Sequence, residues 1–218
     1  EIEKIFYDDG YRLASDFLHE GIETLKLKQA IHRIYESVDG LLDAFLQRTA
    51  SENNPTECMK GCDWCCYQAV FAVTHELLYL REFIKTELPG AIRVQFEESA
   101  RRKADITLQI PVNELQKIKE PCPFLRERSC QVYEARPMAC RIYLSSSEQS
   151  CKEEFEDPRD ETNIPQLYEF PLRAGRMLNE GFVAYLRQKG LHVAELPLEQ
   201  GYMSLVTLDQ DFDSWIQP

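Results

Sequence analysis

Eight cysteines, all between Cys58 and Cys151, constrain this chain more than any other feature. The densest knot reads Cys58-Met59-Lys60-Gly61-Cys62-Asp63-Trp64-Cys65-Cys66. Cys122, Cys130, Cys140 and Cys151 follow, each on or beside a turn signal. A Cys-x2-Cys step folds two sulfurs to the same side of a tight turn, so both thiolates reach one ion. Cys62 and Cys65 form that step, and Gly61 permits a sharp backbone just before it. Adjacent cysteines tend to point apart, so Cys65 and Cys66 are expected to serve different sides of one site, or two sites. Thiolates at these spacings act chiefly as soft-metal ligands.

The downstream cysteines complete the donor set. Cys122 lies between Pro121 and Pro123, whose fixed φ angles stiffen the presentation of its thiol. A proline after a ligand cysteine also occurs in iron–sulfur sequences. Taken singly, each downstream cysteine is also explained, though less well, as a buried inert thiol; taken with the knot, that reading falls further and metal binding is the stronger one. Eight cysteines would also suit four disulfides of a secreted domain. The chain is long enough not to need such staples, and two of its cysteines are adjacent, so disulfides are the weaker expectation.

Composition excludes some partners. With 218 residues, 44% of them hydrophobic, the chain can bury a substantial core. Its net charge of -12, with no basic run longer than Arg101-Arg102-Lys103, repels phosphate backbones and anionic membranes. Neither nucleic acid nor a membrane is expected as a partner. A protein partner stays open and unidentified. The start, Glu1 to Gly10, lacks a secretory pattern, and the expectation is a cytoplasmic protein with reduced thiols.

Periodicity supplies the scaffold. Leu27, Ile31, Ile34, Val38, Leu41 and Phe45 draw one helical stripe over Lys26 to Arg48, with a shorter helix expected over Tyr11 to His19. Thr74 reads as the N-cap of a helix whose inward face is Leu77, Leu80, Ile84 and Leu88, ended by Pro89-Gly90. Another helix is expected from about Ile92 to Leu108. Residues 121–133 read as two short extended pieces around the turn Arg126-Glu127-Arg128-Ser129, a small hairpin, and 134–137 as one helical turn closing on Cys140. The acidic stretch Glu153 to Glu161 reads as a solvated linker. A helix with Pro171 in its first turn and Gly190 past its end follows, then an irregular tail containing Trp215.

Two metals compete for the thiols. Structural zinc takes four thiolates or imidazoles in a closed tetrahedron. A [4Fe–4S] cluster spreads four thiolates over a larger cube. Trp64, Phe71, Phe124, Tyr133 and Tyr143 lie near cysteines in sequence and suit the apolar pocket such a cluster prefers, so the reading leans to iron–sulfur. Which four thiols ligate, and whether there is one site or two, stays open. His19, His32, His75 and His192 show no paired spacing, and His75, in a first helical turn, is expected to face solvent. Arg136 and Arg141 flank Cys140; they either balance thiolate charge or make surface ion pairs with Glu134 or Glu127.

The segments Cys62-Asp63-Trp64-Cys65-Cys66, PCPFL at 121–125, Cys130-Gln131-Val132-Tyr133-Glu134 and Ala135-Arg136-Pro137-Met138-Ala139-Cys140-Arg141 resemble the YkgJ-type cysteine-cluster family. The resemblance covers about residues 58–151. It implies a zinc- or iron-chelating domain with a CxxCxxCC signature, and Cys62, Cys65, Cys66, Cys122, Cys130 and Cys140 as the cluster set. The first spacing here is Cys-x3-Cys, so Cys58 falls outside the strict signature, and Cys151 lies beyond the main motif. Bacterial flagellin lysine methylases share this kind of cysteine domain, which implies that it can hold an iron–sulfur cluster. The resemblance names a cofactor class and no reaction.

A rival pattern overlaps it. Cys58-x3-Cys62-x-Trp64-Cys65 is similar to the radical S-adenosylmethionine loop, which those enzymes place after the first strand of an α/β barrel. Here a long helix precedes the loop and no βα repeat follows. The expectation is therefore a mainly α fold: a helical domain with a small β-hairpin, organised around a cysteine-bound metal or iron–sulfur cluster. Residues 1–55 form an N-terminal helical segment, 56–152 the cysteine-cluster domain, and 153–218 a C-terminal helical extension and tail. The function that follows is a metal-binding protein holding [4Fe–4S] or zinc. The alternatives are an iron–sulfur enzyme, such as a S-adenosylmethionine-dependent protein modifier, and a zinc-stabilised interaction module.

Overall fold

A computed structural model describes residues 1–217. Its frame is helical: α1 (Ile2–Leu18), α2 (Thr24–Ser51), β1 (Phe71–Val73), α3 (Thr74–Glu87), α4 (Gly90–Thr107), β2 (Leu125–Arg126), β3 (Ser129–Cys130), α5 (Met138–Arg141), α6 (Glu148–Glu156), α7 (Glu169–Gln188), β4 (Glu195–Pro197), α8 (Leu198–Thr207) and α9 (Phe212–Ile216). Short 3-10 turns cover Trp64–Tyr67, Val112–Lys117 and Tyr133–Ala135. The mainly helical class is as expected.

The apolar stripe of α2 is buried at Leu27, Ile31, Ile34 and Val38, then passes to Leu42, leaving Leu41 and Phe45 half-buried. A straight helix with 3.6 residues per turn drifts against alternating steps of three and four, which moves the buried edge by one residue. Phe45 leans instead onto Phe170, stacked at 5.5 Å between ring centroids. The first helix is longer than its pattern implied, because its partner α7 holds the extra turns. Gly10 of α1 sits against the Leu178 backbone and Gly181 of α7 against the Tyr7 carbonyl, so the two helix backbones lie in direct contact.

Thr74 is not the cap of α3. It is the first helical residue, and its hydroxyl donates to the Ala194 carbonyl (3.2 Å) and accepts the Ala194 amide (3.0 Å). The acceptor for the strand end is Glu76, whose carboxylate takes the Val73 amide. The tail that reads as irregular is ordered: β4 pairs antiparallel with β1, Ala72 opposite Leu196, and α8 packs on α3 and α4. Trp215 is buried and donates its indole N–H to the His192 carbonyl at 2.9 Å.

The acidic stretch is also partly helical. Its first residues complete α6, which starts at Ser147 with the hydroxyl accepting the Ser150 amide (3.2 Å). The β2–β3 hairpin stands where the sequence placed it, with Leu125 opposite Cys130. Among the described residues the only sheets are β1–β4 and β2–β3, both two-stranded and antiparallel, so the α/β barrel of the radical S-adenosylmethionine reading is not there. No helix among the described residues is long and apolar enough to cross a membrane.

The hairpin turn carries a local cost. Glu127 and Arg128 both have positive φ (48° and 56°), as a two-residue type I′ loop demands. Neither is the glycine or asparagine that such a loop favours. Glu127→Gly is expected to raise stability by about 1 kcal/mol, read as a shifted urea midpoint with unchanged slope.

Candidate metal centre

Cysteines from both halves of the domain come together around the 3-10 turn Trp64–Tyr67. In that turn Cys65 and Cys66 stand side by side, and the Cys122 amide donates to the Cys66 carbonyl at 2.7 Å. This backbone bond docks the PCPFL segment on the first knot. Cys130 arrives on β3 and Cys140 on α5. The charge of Cys65, Cys122 and Cys140 is felt at Cys66, and that of Cys122, Cys65 and Cys130 at Cys140. Cys65, Cys66, Cys122, Cys130 and Cys140 thus lie within electrostatic reach of one another.

Among these five the neighbouring thiols of Cys65 and Cys66 act on each other's ionisation. This coupling lowers Cys65 and raises Cys66: the pair gives up a first proton readily and keeps the second. Burial pushes Cys122 up to about 12 and Cys140 well above the ordinary thiol range, and it raises Cys130. Arg136 opposes the rise at Cys130 and Cys140 and adds to the lowering at Cys65.

The other three thiols border the group. Cys62, raised to about 11 by burial, feels Cys58, Glu148 and Cys65. Cys58 accepts the Ser145 amide (3.2 Å) and points its own S–H at the Ser145 carbonyl (3.8 Å). Cys151, on α6, is raised by burial and by the charge of Cys58 and Cys65, with the Ser145 and Ser150 hydroxyls opposing the rise. All eight cysteines are free thiols. Among the described residues no three His, Cys, Asp or Glu side chains are drawn tightly enough around one point to ligate a single ion. The donor set is therefore recognised by mutual approach.

Several contacts clamp the two halves. Arg128, at the hairpin tip, reaches buried Asp63 at 3.1 Å. Trp64 donates to Glu148 at 3.0 Å, and its ring and that of Tyr67 pack on Phe155 of α6. Gln68 donates to Tyr143 (2.7 Å) and to Glu154 (3.2 Å), and Glu154 also pairs with Lys119. Phe124, fully buried against Phe96 and Tyr202, walls the hairpin side. Tyr133, expected near the pocket, is instead 58% exposed under the Arg136 guanidinium, 3.6 Å from its ring centroid.

The arginines divide their roles. Arg136 faces the thiols and donates to the Tyr133 carbonyl at 2.8 Å. Arg141 makes no surface ion pair with Glu134 or Glu127. It is buried, bonded to the Glu134 and Arg136 carbonyls and to Asp39 of α2, with the Tyr35 ring 4.0 Å away. His75 is also contrary to expectation. It is 0% exposed with neither ring nitrogen hydrogen-bonded, and it packs on Phe182 rather than on any thiol.

Residues 57–162 match the family model CxxCxxCC, described as "Putative zinc- or iron-chelating domain". Over these residues the chain is similar to that family. The matched stretch spans all eight cysteines, from the knot to α6. No curated protein and no solved structure matches the chain. Soft thiols are the donors that zinc and iron–sulfur centres take, so the residues present suit the metals for which the family is described. Asp39, Glu76, Ser145 and Glu148, which brace the thiol-bearing segments, escaped the sequence reading. None is in a motif, and Asp39 and Glu76 act on segments about 60 to 100 residues away in the chain.

Proposed function

We propose that the CxxCxxCC domain binds a thiolate-held metal centre, a [4Fe–4S] cluster in preference to a lone zinc ion. The ligands come from Cys65, Cys66, Cys122, Cys130 and Cys140, with Cys62 at the edge and Cys58 and Cys151 bordering it as weaker candidates. The observation that carries this reading is the approach of five thiols from four separate segments in a setting that penalises their charge. Thiols so placed stay protonated on their own; a bound cation supplies the counter-charge under which they ionise. Trp64 and Tyr67 pack on Phe155 beside the knot, and Phe124 packs on Phe96 beside the hairpin; apolar neighbours of this kind suit a cluster. Arg136 offsets the negative charge that several thiolates leave on such a centre. A bound cluster supplies one-electron chemistry, whereas zinc supplies a closed structural tetrahedron. We take the reducing cytosol as the compartment.

Protein purified without oxygen tests the reading. Iron and sulfide in comparable amounts, with broad visible absorbance, are expected. Colourless protein with stoichiometric zinc overturns the cluster but keeps the metal site, and protein with neither overturns both. Cys65→Ser and Cys122→Ser are each expected to weaken metal retention by at least about tenfold. Full occupancy in both variants overturns the ligand set.

A further inference from the structure

Cys140 sits on α5, a single helical turn of four residues. A turn this short does not hold itself, because nucleation fixes several residues for very few hydrogen bonds. Its position is imposed from outside. At its end the buried Arg141 ties it to α2 through Asp39. At its start the Met138 amide donates to Glu76 Oε1 at 2.7 Å, while Glu76 Oε2 accepts the Val73 amide at 3.1 Å. Glu76 is 2% exposed and stands at the head of α3, directly after the strand that leaves the first cysteine knot. On the far side Gly175 of α7 leaves no room for a methyl group beside Ile142 and Met138, and α5 packs on α7, α2 and β1.

We propose that Glu76 is a positioning residue for Cys140, its carboxylate fixing the one-turn helix of the second half-site to the helix that follows the first. The proposal rests on the metal-binding reading above. Both carboxylate oxygens face amide donors, so only a group with two acceptors satisfies both. Glutamine offers one acceptor and sets an NH2 against the other amide, which loosens either β1 or α5.

The test compares metal-loaded wild type with Glu76→Gln in a short pulse of iodoacetamide, with labelling at each cysteine read by mass spectrometry and zinc and iron content measured in parallel. In wild type Cys65, Cys66 and Cys140 are expected to be protected alike. In Glu76→Gln, Cys140 is expected to label at least about tenfold faster, with Cys65 and Cys66 still protected, and metal affinity to fall about 10- to 100-fold. Unchanged protection of Cys140 overturns the proposal. So does an even loss of protection at all three cysteines, which a merely structural role would give. Wild type without zinc or iron overturns the metal reading itself and is scored before any variant. Should Glu76→Gln not fold, Glu76→Asp, which keeps the charge but withdraws the carboxylate by one methylene, carries the same outcomes.

Discussion

Replacing Gly181 by alanine is expected to destabilise the protein by about 3 kcal/mol or more and to undock α1. A methyl group at this position overlaps the Tyr7 carbonyl oxygen and crowds the Tyr11 amide. Both are backbone atoms of a helix, so no rotamer change relieves the clash, and α1 must move away bodily. The reciprocal contact, Gly10 against the Leu178 carbonyl, lies on the same face and would be broken by the same movement. What α1 buries against α7 is then lost: Ala14 and Leu18, both 0% exposed, and the edge-on pair Tyr11–Tyr185. Gly40, on an open face of α2 with nothing within 4 Å of its added Cβ, is the control. Gly40→Ala is expected to gain about 0.5–1 kcal/mol, since alanine suits a helix interior better. Equilibrium urea unfolding of the two variants checks the contrast. A Gly181→Ala protein as stable as wild type would mean that the helices do not touch through these glycines.

Local signals in the sequence served well where the structure is local. The stripe of α2, Pro171 in the first turn of α7, Gly190 with its φ of +88° past its end, and the two-residue hairpin turn all depend on neighbours in the chain. The cysteine pattern points to the same chelating family that residues 57–162 match, because thiols with turn residues between them have few other uses. What stayed hidden depends on distant partners. The strand β4 exists because β1, more than 120 positions earlier, offers an edge; alone, Glu195-Leu196-Pro197 is too short to read. In α6 the charge run masked a helix whose start was nevertheless signalled by Ser147. Arg141 read as a surface residue since nothing near it in sequence predicts Asp39, the carbonyl cage or the Tyr35 ring.

His75→Leu is expected to make the protein markedly more resistant to acid. The His75 ring lies in the core between α3 and α7, and burial holds its pKa down to about 3 from an ordinary 6.5. The unfolded chain takes up a proton below pH 6.5 that the folded chain refuses, so stability is lost as pH falls from 6.5 towards 3. At about 1.4 kcal/mol per pH unit, that loss reaches about 2 kcal/mol by pH 5 and about 5 kcal/mol at the acid end. Leucine removes it. It also removes two ring nitrogens without partners, whose desolvation costs about 1–3 kcal/mol each when unpaired, so a gain is expected at pH 7 as well. The neighbouring Glu76 works in the opposite sense. Its folded pKa is raised by burial to about 7, so its contribution is fully present below about pH 4.5 and is lost as pH rises through 7. Between these limits the two residues offset each other in wild type, and only Glu76 remains in the variant. The difference in unfolding free energy between His75→Leu and wild type, measured in urea at pH 7 and pH 5, is therefore expected to widen by about 2 kcal/mol on acidification. Taking the difference between two proteins that share every cysteine removes the acid lability of the thiols from the comparison. A difference that stays constant across this range would mean that His75 is protonated in the folded protein, with a partner for its charge.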